Sequence, residues 1–374
     1  MKKTLVFILL FFLTVNHICG QAAGEANTMP GDLSLRIKSM NFIENNEFFN
    51  PIVQGYTMMG FFFQPELVYS PTQKVTLRAG AHILKYSGTE KFSEIRPVFS
   101  TTLFFSEKTS LTLGTLSGPE KHHFFDPHFY TERLYNEYIE DGLQLTHVND
   151  HIFTDTWISW ENYIFKGDST REQFTFGESF RYTSSPIADF IRIEVPVQLQ
   201  LKHRGGQISD YPQQMQSFIN MAGGLRVNFD LAEKKYGQLG IEYLQFVNNS
   251  REGDTTTGVI HGNASWLKLD YTYKAIRFET GYWRAHDFYA PNGNPIYGSV
   301  SDWQPGVVIH DRRIIKNSLA LKFFPAGSLE LYFALDLFYD IDLNRLDQAY
   351  TLHLNFDKLI ALAGSKHRKK EHQE

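Results

Sequence analysis

Cysteine is nearly missing from this chain: Cys19 is the only one among 374 residues. No internal disulfide can staple such a protein, even in an oxidising compartment. Beyond the first twenty residues, no stretch approaches the roughly 18 consecutive apolar residues of a spanning helix, which excludes helical membrane insertion. A phosphate loop, a Rossmann glycine fingerprint and a Gly-x-Ser-x-Gly elbow are also lacking. The formal net charge of -5 is small and dispersed, so no nucleic-acid partner is expected.

The N-terminus has the grammar of a secretory signal, with Lys2-Lys3, an apolar stretch from Leu5 to Val15, then small and polar residues up to Gly20. Residues 1–20 are expected to be removed, leaving 21–30 as a periplasmic segment. A lipid anchor on Cys19 is disfavoured by Ile18, where a small residue would be required.

What the chain does have is aromatics and alternation. Phe and Tyr number 32 and 19, yet mean hydropathy is only -0.30. Between Ile191 and Lys202, odd positions are Ile191, Ile193, Val195, Val197, Leu199 and Leu201, while Arg192, Glu194, Gln198, Gln200 and Lys202 occupy even ones. Strand side chains have a period of two, so this segment presents one greasy and one wet face. The pattern recurs and predicts strands at about 31–42, 56–70, 74–86, 95–105, 109–117, 140–148, 152–164, 171–183, 190–203, 218–229, 237–248, 263–273, 275–284, 314–324, 327–338 and 347–356. Short turns alternate with long polar loops. An even strand number with loops of two lengths predicts an all-β fold: a transmembrane antiparallel up-and-down β-barrel of about sixteen strands, both termini in the periplasm. One strand strains the pattern, because Glu178 shares parity with Phe174, Phe176 and Phe180 and so needs a bulge, an interfacial position or another register. The junction 230–236 is longer than a short turn should be.

The last strand, Tyr350-Thr351-Leu352-His353-Leu354-Asn355-Phe356, alternates and ends on an aromatic. It resembles the C-terminal signal of outer-membrane barrels, and with the leader and strand pattern the chain is similar to Gram-negative porin-type barrels. That resemblance implies the outer membrane as location and, as partners, its lipids, the barrel assembly machinery and small hydrophilic solutes or glycans; it leaves the oligomeric state open. The barrel is expected over 31–356, with 357–374 as a basic-rich periplasmic tail.

Sixteen strands leave an aqueous lumen, so pore function follows from strand number. Lumen-facing candidates are Arg36, Lys38, Arg78, Arg192, Lys202, Arg226, Lys268, Arg277, Lys316 and Lys322 against Glu194, Glu242, Asp270, Glu279, Glu330 and Asp336. This excess of bases would favour anions unless the charges pair across strands. Two long loops, 118–139 and 285–313, are aromatic, with Phe125, Tyr130, Tyr289 and Trp303 as candidates for contacting a sugar. Either loop could instead fold into the mouth as a constriction. The expected function is weakly selective diffusion of small hydrophilic solutes, with a non-conducting polysaccharide receptor as the alternative. No cofactor, metal or enzymatic activity is expected: adjacent histidines in a loop (His122, His123, His128, beside Asp126) do not fix a metal geometry, and His147 and Ser159 point to opposite faces.

Overall fold

The structure, a computed structural model, describes residues 30–364 apart from 207, 209, 211–214, 233, 252–258 and 326. The expected signal peptide, almost all of the 21–30 segment and the basic run beyond Gly364 lie outside the described residues.

Sixteen strands follow in order: β1 Asp32–Glu47, β2 Thr57–Thr72, β3 Val75–Tyr86, β4 Glu94–Ser106, β5 Thr109–Thr115, β6 Asp141–Val148, β7 Ile152–Asn162, β8 Glu172–Thr183, β9 Ile191–Gly205, β10 Gln216–Asp230, β11 Gln238–Arg251, β12 His261–Tyr273, β13 Ile276–His286, β14 Asp311–Phe323, β15 Leu329–Asp340 and β16 Arg345–Ala363. Each pairs antiparallel with its neighbours in sequence, and β1 pairs with β16 to close the barrel. Closure satisfies every ladder edge, which a sheet in hydrocarbon requires.

The burial pattern is inside-out. Ile95, Leu267 and Phe278 are 63%, 51% and 44% exposed on the outer face, whereas Glu66 and Arg78 are 1% and 2% exposed on the inner one. An apolar belt around a polar interior is what alternation gives when the sheet closes on itself in lipid.

Three departures from expectation have local causes. First, β16 does not end at Phe356; residues 357–363, expected as part of a tail, continue the strand against Leu33–Lys38. Leu359, Ile360 and Leu362 extend its apolar surface, and the Arg36 guanidinium forks onto Asp357 at 2.9 and 2.8 Å. β1 likewise runs to Glu47 rather than 42, with Glu44 and Asn46 continuing its inward face. Second, no bulge rescues Glu178. It lies on the outer face in the middle of β8, where its carboxylate accepts hydroxyls from Thr154 at 2.6 Å and from Thr156. Third, the 230–238 junction is a folded turn: Leu231 N donates to Gly237 O at 2.9 Å, and Ala232 and Lys234 adopt positive φ of 47° and 68°.

Candidate functional site

The barrel's two ends differ. At one end the connections are tight turns; at the other, loops 118–139 and 287–310 turn inward and fill the mouth. Loop 118–139 acts as a plug. It opens on a 3-10 turn (Pro119–His122), passes through Phe125–Tyr130 and ends in a one-turn helix, α1 (Arg133–Asn136). Backbone groups that leave the wall need partners, and the lumen supplies them: Phe125 N donates to Gln198 Oε1 at 3.2 Å, and Gln198 Nε2 donates to His123 O at 3.0 Å.

Charge fastens the plug at three points. The His122 ring lies between Glu140 and Asp155, 2.8 Å from each, and stacks on Trp157 with centroids 3.6 Å apart. Burial alone would push this imidazole down, but the two carboxylates outweigh it and hold its pKa up at about 9. Asp126 accepts from Lys316 Nζ at 2.7 Å; burial opposes its ionisation, yet Lys316 holds the carboxyl below its usual range. Glu132 accepts hydroxyls from Tyr56 and Tyr130 and the Asn46 amide at 3.0 Å. Elsewhere the plug packs: Phe42 stacks on Tyr135, and His128, buried among Phe124, Phe246 and Phe288, is pushed down to about 3.

The second loop locks onto the first. Asn294 N donates to Asp126 O at 2.9 Å, and Tyr130 N to Asn292 O at 3.0 Å. Its Phe288, Ile296 and Tyr297 join Phe246, Trp266, Trp283 and Phe338 in one core cluster.

Below the plug, toward the short turns, a cavity of about 560 Å³ remains. Asp126 forms part of its roof. The candidates Glu194, Arg226, Glu242, Lys268, Asp270, Arg277, Glu279 and Asp336 line it, together with Lys316. These charges pair. Arg226 reaches Asp270 at 2.7 Å, Lys268 reaches Glu242 at 2.6 Å and Arg277 reaches Glu279 at 2.9 Å. Outside the cavity, Arg36 pairs with Asp357, Arg78 with Glu66, Arg192 with Asp230, Lys202 with Glu161 and Lys322 with Glu330. Lys38 is buried with its ammonium 5.8 Å from the Tyr138 ring centre. Counter-acids outside the expected lumen set (Glu66, Asp126, Glu161, Asp230, Asp357) thus cancel the excess of bases. Asp126 carries the clearest signal of these, a carboxylate set among His122, His123, Phe124, Phe125, His128 and Phe129.

The four aromatic loop candidates separate. Phe125 is spent on packing, against Phe246 and under Lys268. Tyr130 and Tyr289 line a second cavity of about 390 Å³ on the opposite side of the plug, with Pro127 beside them. Trp303 stays 42% exposed. The loop histidines do not converge: His122 is enclosed by carboxylates, His123 rests edge-on against Phe153, and His128 lies among phenylalanines.

His147 and Ser159 also fail to meet. His147 Nδ1 lies 2.8 Å from Thr109 Oγ1 and its Nε2 2.9 Å from Asn149 Nδ2. Asn149 Oδ1 accepts from His151 N and Ile152 N, so its amide nitrogen faces the ring. Nδ1 then carries the hydrogen and donates to Thr109, which makes this histidine no base toward that hydroxyl. A different pair stands on the outer face at the long-loop end, with His203 Nδ1 3.0 Å from Ser217 Oγ and the ring stacked on Phe174, itself stacked on Trp160.

A family profile described as lipid A 3'-O-deacylase-type matches residues 25–365. No curated protein matches the chain. Among solved structures it is similar to OprD of Pseudomonas aeruginosa, at 14% identity, covering 90% of this chain and 96% of that one with a TM-score of 0.51. OccK9 of the same organism gives 12%, 88% and 99%, with a TM-score of 0.52. A BenF-like porin from Pseudomonas fluorescens gives 10%, 89% and 100%, also at 0.52. At these identities the likeness is one of fold, that of the outer-membrane porin barrel; the closed sixteen-strand barrel with its apolar outer belt, together with the family match, places the protein in the outer membrane.

Proposed function

The chain belongs to the lipid A 3'-O-deacylase-type family, a family of outer-membrane barrels, and from its lumen and fold we propose that this barrel is a porin-like passage for small hydrophilic solutes, shut by its own loop 118–139. One observation carries the reading. The lumen keeps a polar cavity of about 560 Å³ that ends against the plug at Asp126, a roof tied to the barrel wall through the Asp126–Lys316 side-chain pair. With the long loops outside, this cavity is the periplasmic vestibule, and opening the plug would join it to the exterior. Planar-bilayer recording tests this: replacing Pro119–Tyr138 by a short Gly-Ser turn is expected to raise single-channel conductance at least several-fold. A barrel that inserts but gives no current steps with or without its plug would instead favour a surface receptor.

The family description suggests a second reading, hydrolysis of an acyl ester of lipid A. The observation in its favour is the His203–Ser217 pair, which faces the membrane at the level where outer-leaflet headgroups would lie. Ser217 would attack the ester carbonyl, passing its proton to His203, which hands it to the sugar hydroxyl that departs as the ester C–O bond breaks; water, deprotonated in turn by His203, would then hydrolyse the acyl-serine, releasing the fatty acid and restoring Ser217. Fatty-acid release from lipid A in mixed micelles, abolished in Ser217→Ala and His203→Gln, is the outcome this reading requires; equal release from all three proteins removes it.

A further inference from the structure

The cavity on the exterior side of the plug has a different chemistry from the vestibule. Its volume, about 390 Å³, falls within the range of pockets that enclose small ligands. Among the described residues no lysine or arginine lines it, which disfavours an anion. Its walls are rings: Tyr130 and Tyr289, joined by Pro127 and two further prolines. Polar groups are few. Ser301 is already used inside its own loop, donating to Pro51 O at 2.6 Å and accepting from Gln304 N at 2.9 Å. Asn294 accepts from Ile296 N through Oδ1, leaving its amide nitrogen to donate, and Asp302 adds one carboxylate.

The site is built in advance. Both tyrosines are held, Tyr130 by its hydroxyl on Glu132 and Tyr289 edge-on against Phe218 with its amide on Asn248 Oδ1 at 3.3 Å. The two loops meet so closely at Gly293 that an added Cβ would lie 1.9 Å from Pro127 O, so only glycine lets these walls approach. A pocket fixed by the fold loses little entropy when a ligand enters.

We infer that this pocket binds a neutral saccharide, with the apolar C–H faces of its ring against Tyr130 and Tyr289 and its hydroxyls read by Asp302 and the Asn294 amide. The inference goes beyond the channel reading and holds whether or not the barrel conducts: under that reading the pocket is an entry site, under the receptor reading the whole recognition site. An acidic sugar is disfavoured by the Asp302 carboxylate.

Saturation-transfer NMR on the purified, detergent-folded full-length barrel tests it with maltose, cellobiose, lactose, N,N'-diacetylchitobiose and, as the anionic control, glucuronate. Transfer to ring C–H protons of at least one neutral disaccharide, weak or no transfer to glucuronate, and loss of the signal in Tyr289→Ala is the expected result. Asp302→Asn, at an exposed loop position, should weaken binding roughly tenfold, about the worth of one charged hydrogen bond, and serves where Tyr289→Ala fails the heat-shift test for a folded barrel on gels. The inference is overturned if the wild type shows no transfer from any neutral sugar, if glucuronate binds best, or if the signal is unchanged in both folded variants. Conductance recorded on the same samples reports separately on the channel reading.

Discussion

The two halves of the lumen are built from the same strands yet hold different contents. Toward the short turns the wall charges pair with one another and leave a cavity between them. Toward the long loops, aromatic side chains from residues 118–139 and 287–310 fill that space. Alternation along each strand decides only that the inner face is polar; loops decide whether the space it encloses stays open. A sixteen-strand barrel therefore sets an upper limit on a passage, and the plug sets the passage itself.

Weakening the contact between the halves is the strongest way to disturb this contrast. Lys316→Met leaves Asp126 without its ammonium partner. Asp126 keeps 42% of its side-chain surface exposed to the cavity, so the loss should fall between that of an exposed pair and that of a buried one, about 1–3 kcal/mol. The expected outcome is more frequent channel openings and faster labelling of a Ser179→Cys vestibule probe by an impermeant thiol reagent added outside. Adding Asp126→Asn should restore most of the closed state, and unchanged labelling in Lys316→Met would show that the halves are not joined at this point.

pH should sharpen the contrast next. The pKa of His122 is raised from 6.5 to about 9, so its contribution to docking is complete below about pH 6.5 and disappears as pH rises through about 9. Hydrogen-exchange protection over residues 119–139, taken relative to the intrinsic rate at each pH, is accordingly expected to fall above about pH 9 while the strands stay protected. In His122→Gln that pH dependence should vanish; an identical profile in the variant would assign it to other groups.

Ion selectivity should change least. Paired vestibule charges predict a reversal potential near zero under a salt gradient, against the anion preference that a count of strand bases alone implies. Arg277→Gln leaves Glu279 to the more distant Lys316, at 3.7 Å, and should move the channel modestly toward cations, an effect fading as the screening length falls from about 10 Å at 0.1 M salt to about 3 Å at 1 M. A clear anion preference in the unmodified protein would mean that the pairs seen here do not govern permeation.

Strand number, order and facing were legible in the sequence because a period of two is a local property; Ile191–Lys202 or Leu329–Asp336 can be read without knowing their neighbours. The plug was not, beyond the possibility that a long loop might enter the mouth. Its docking depends on Asp126 meeting Lys316, 190 residues away, and nothing in either segment names the other. The same distance effect hid the charge balance, since Glu161 and Asp230 sit at strand ends and Asp357 lies just past the expected end of the last strand, where parity says little about partners. Glu178 is the opposite case: its parity was read correctly, and its position on the apolar face became intelligible only with the hydroxyls of Thr154 and Thr156 beside it.

The seam between β1 and β16 bears on how such a chain is made. It joins Asp32–Glu47 to Arg345–Ala363, fastened where Arg36 grips Asp357 across 321 residues of sequence. Until the final segment arrives, every shorter intermediate is a curved sheet with two raw edges, β1 and whichever strand was last added, and hydrocarbon tolerates neither. Folding and membrane entry thus cannot finish piecemeal: the last strand to be synthesised is the one that lets the first become stable, and a chain truncated before residue 345 has no low-energy state in the bilayer.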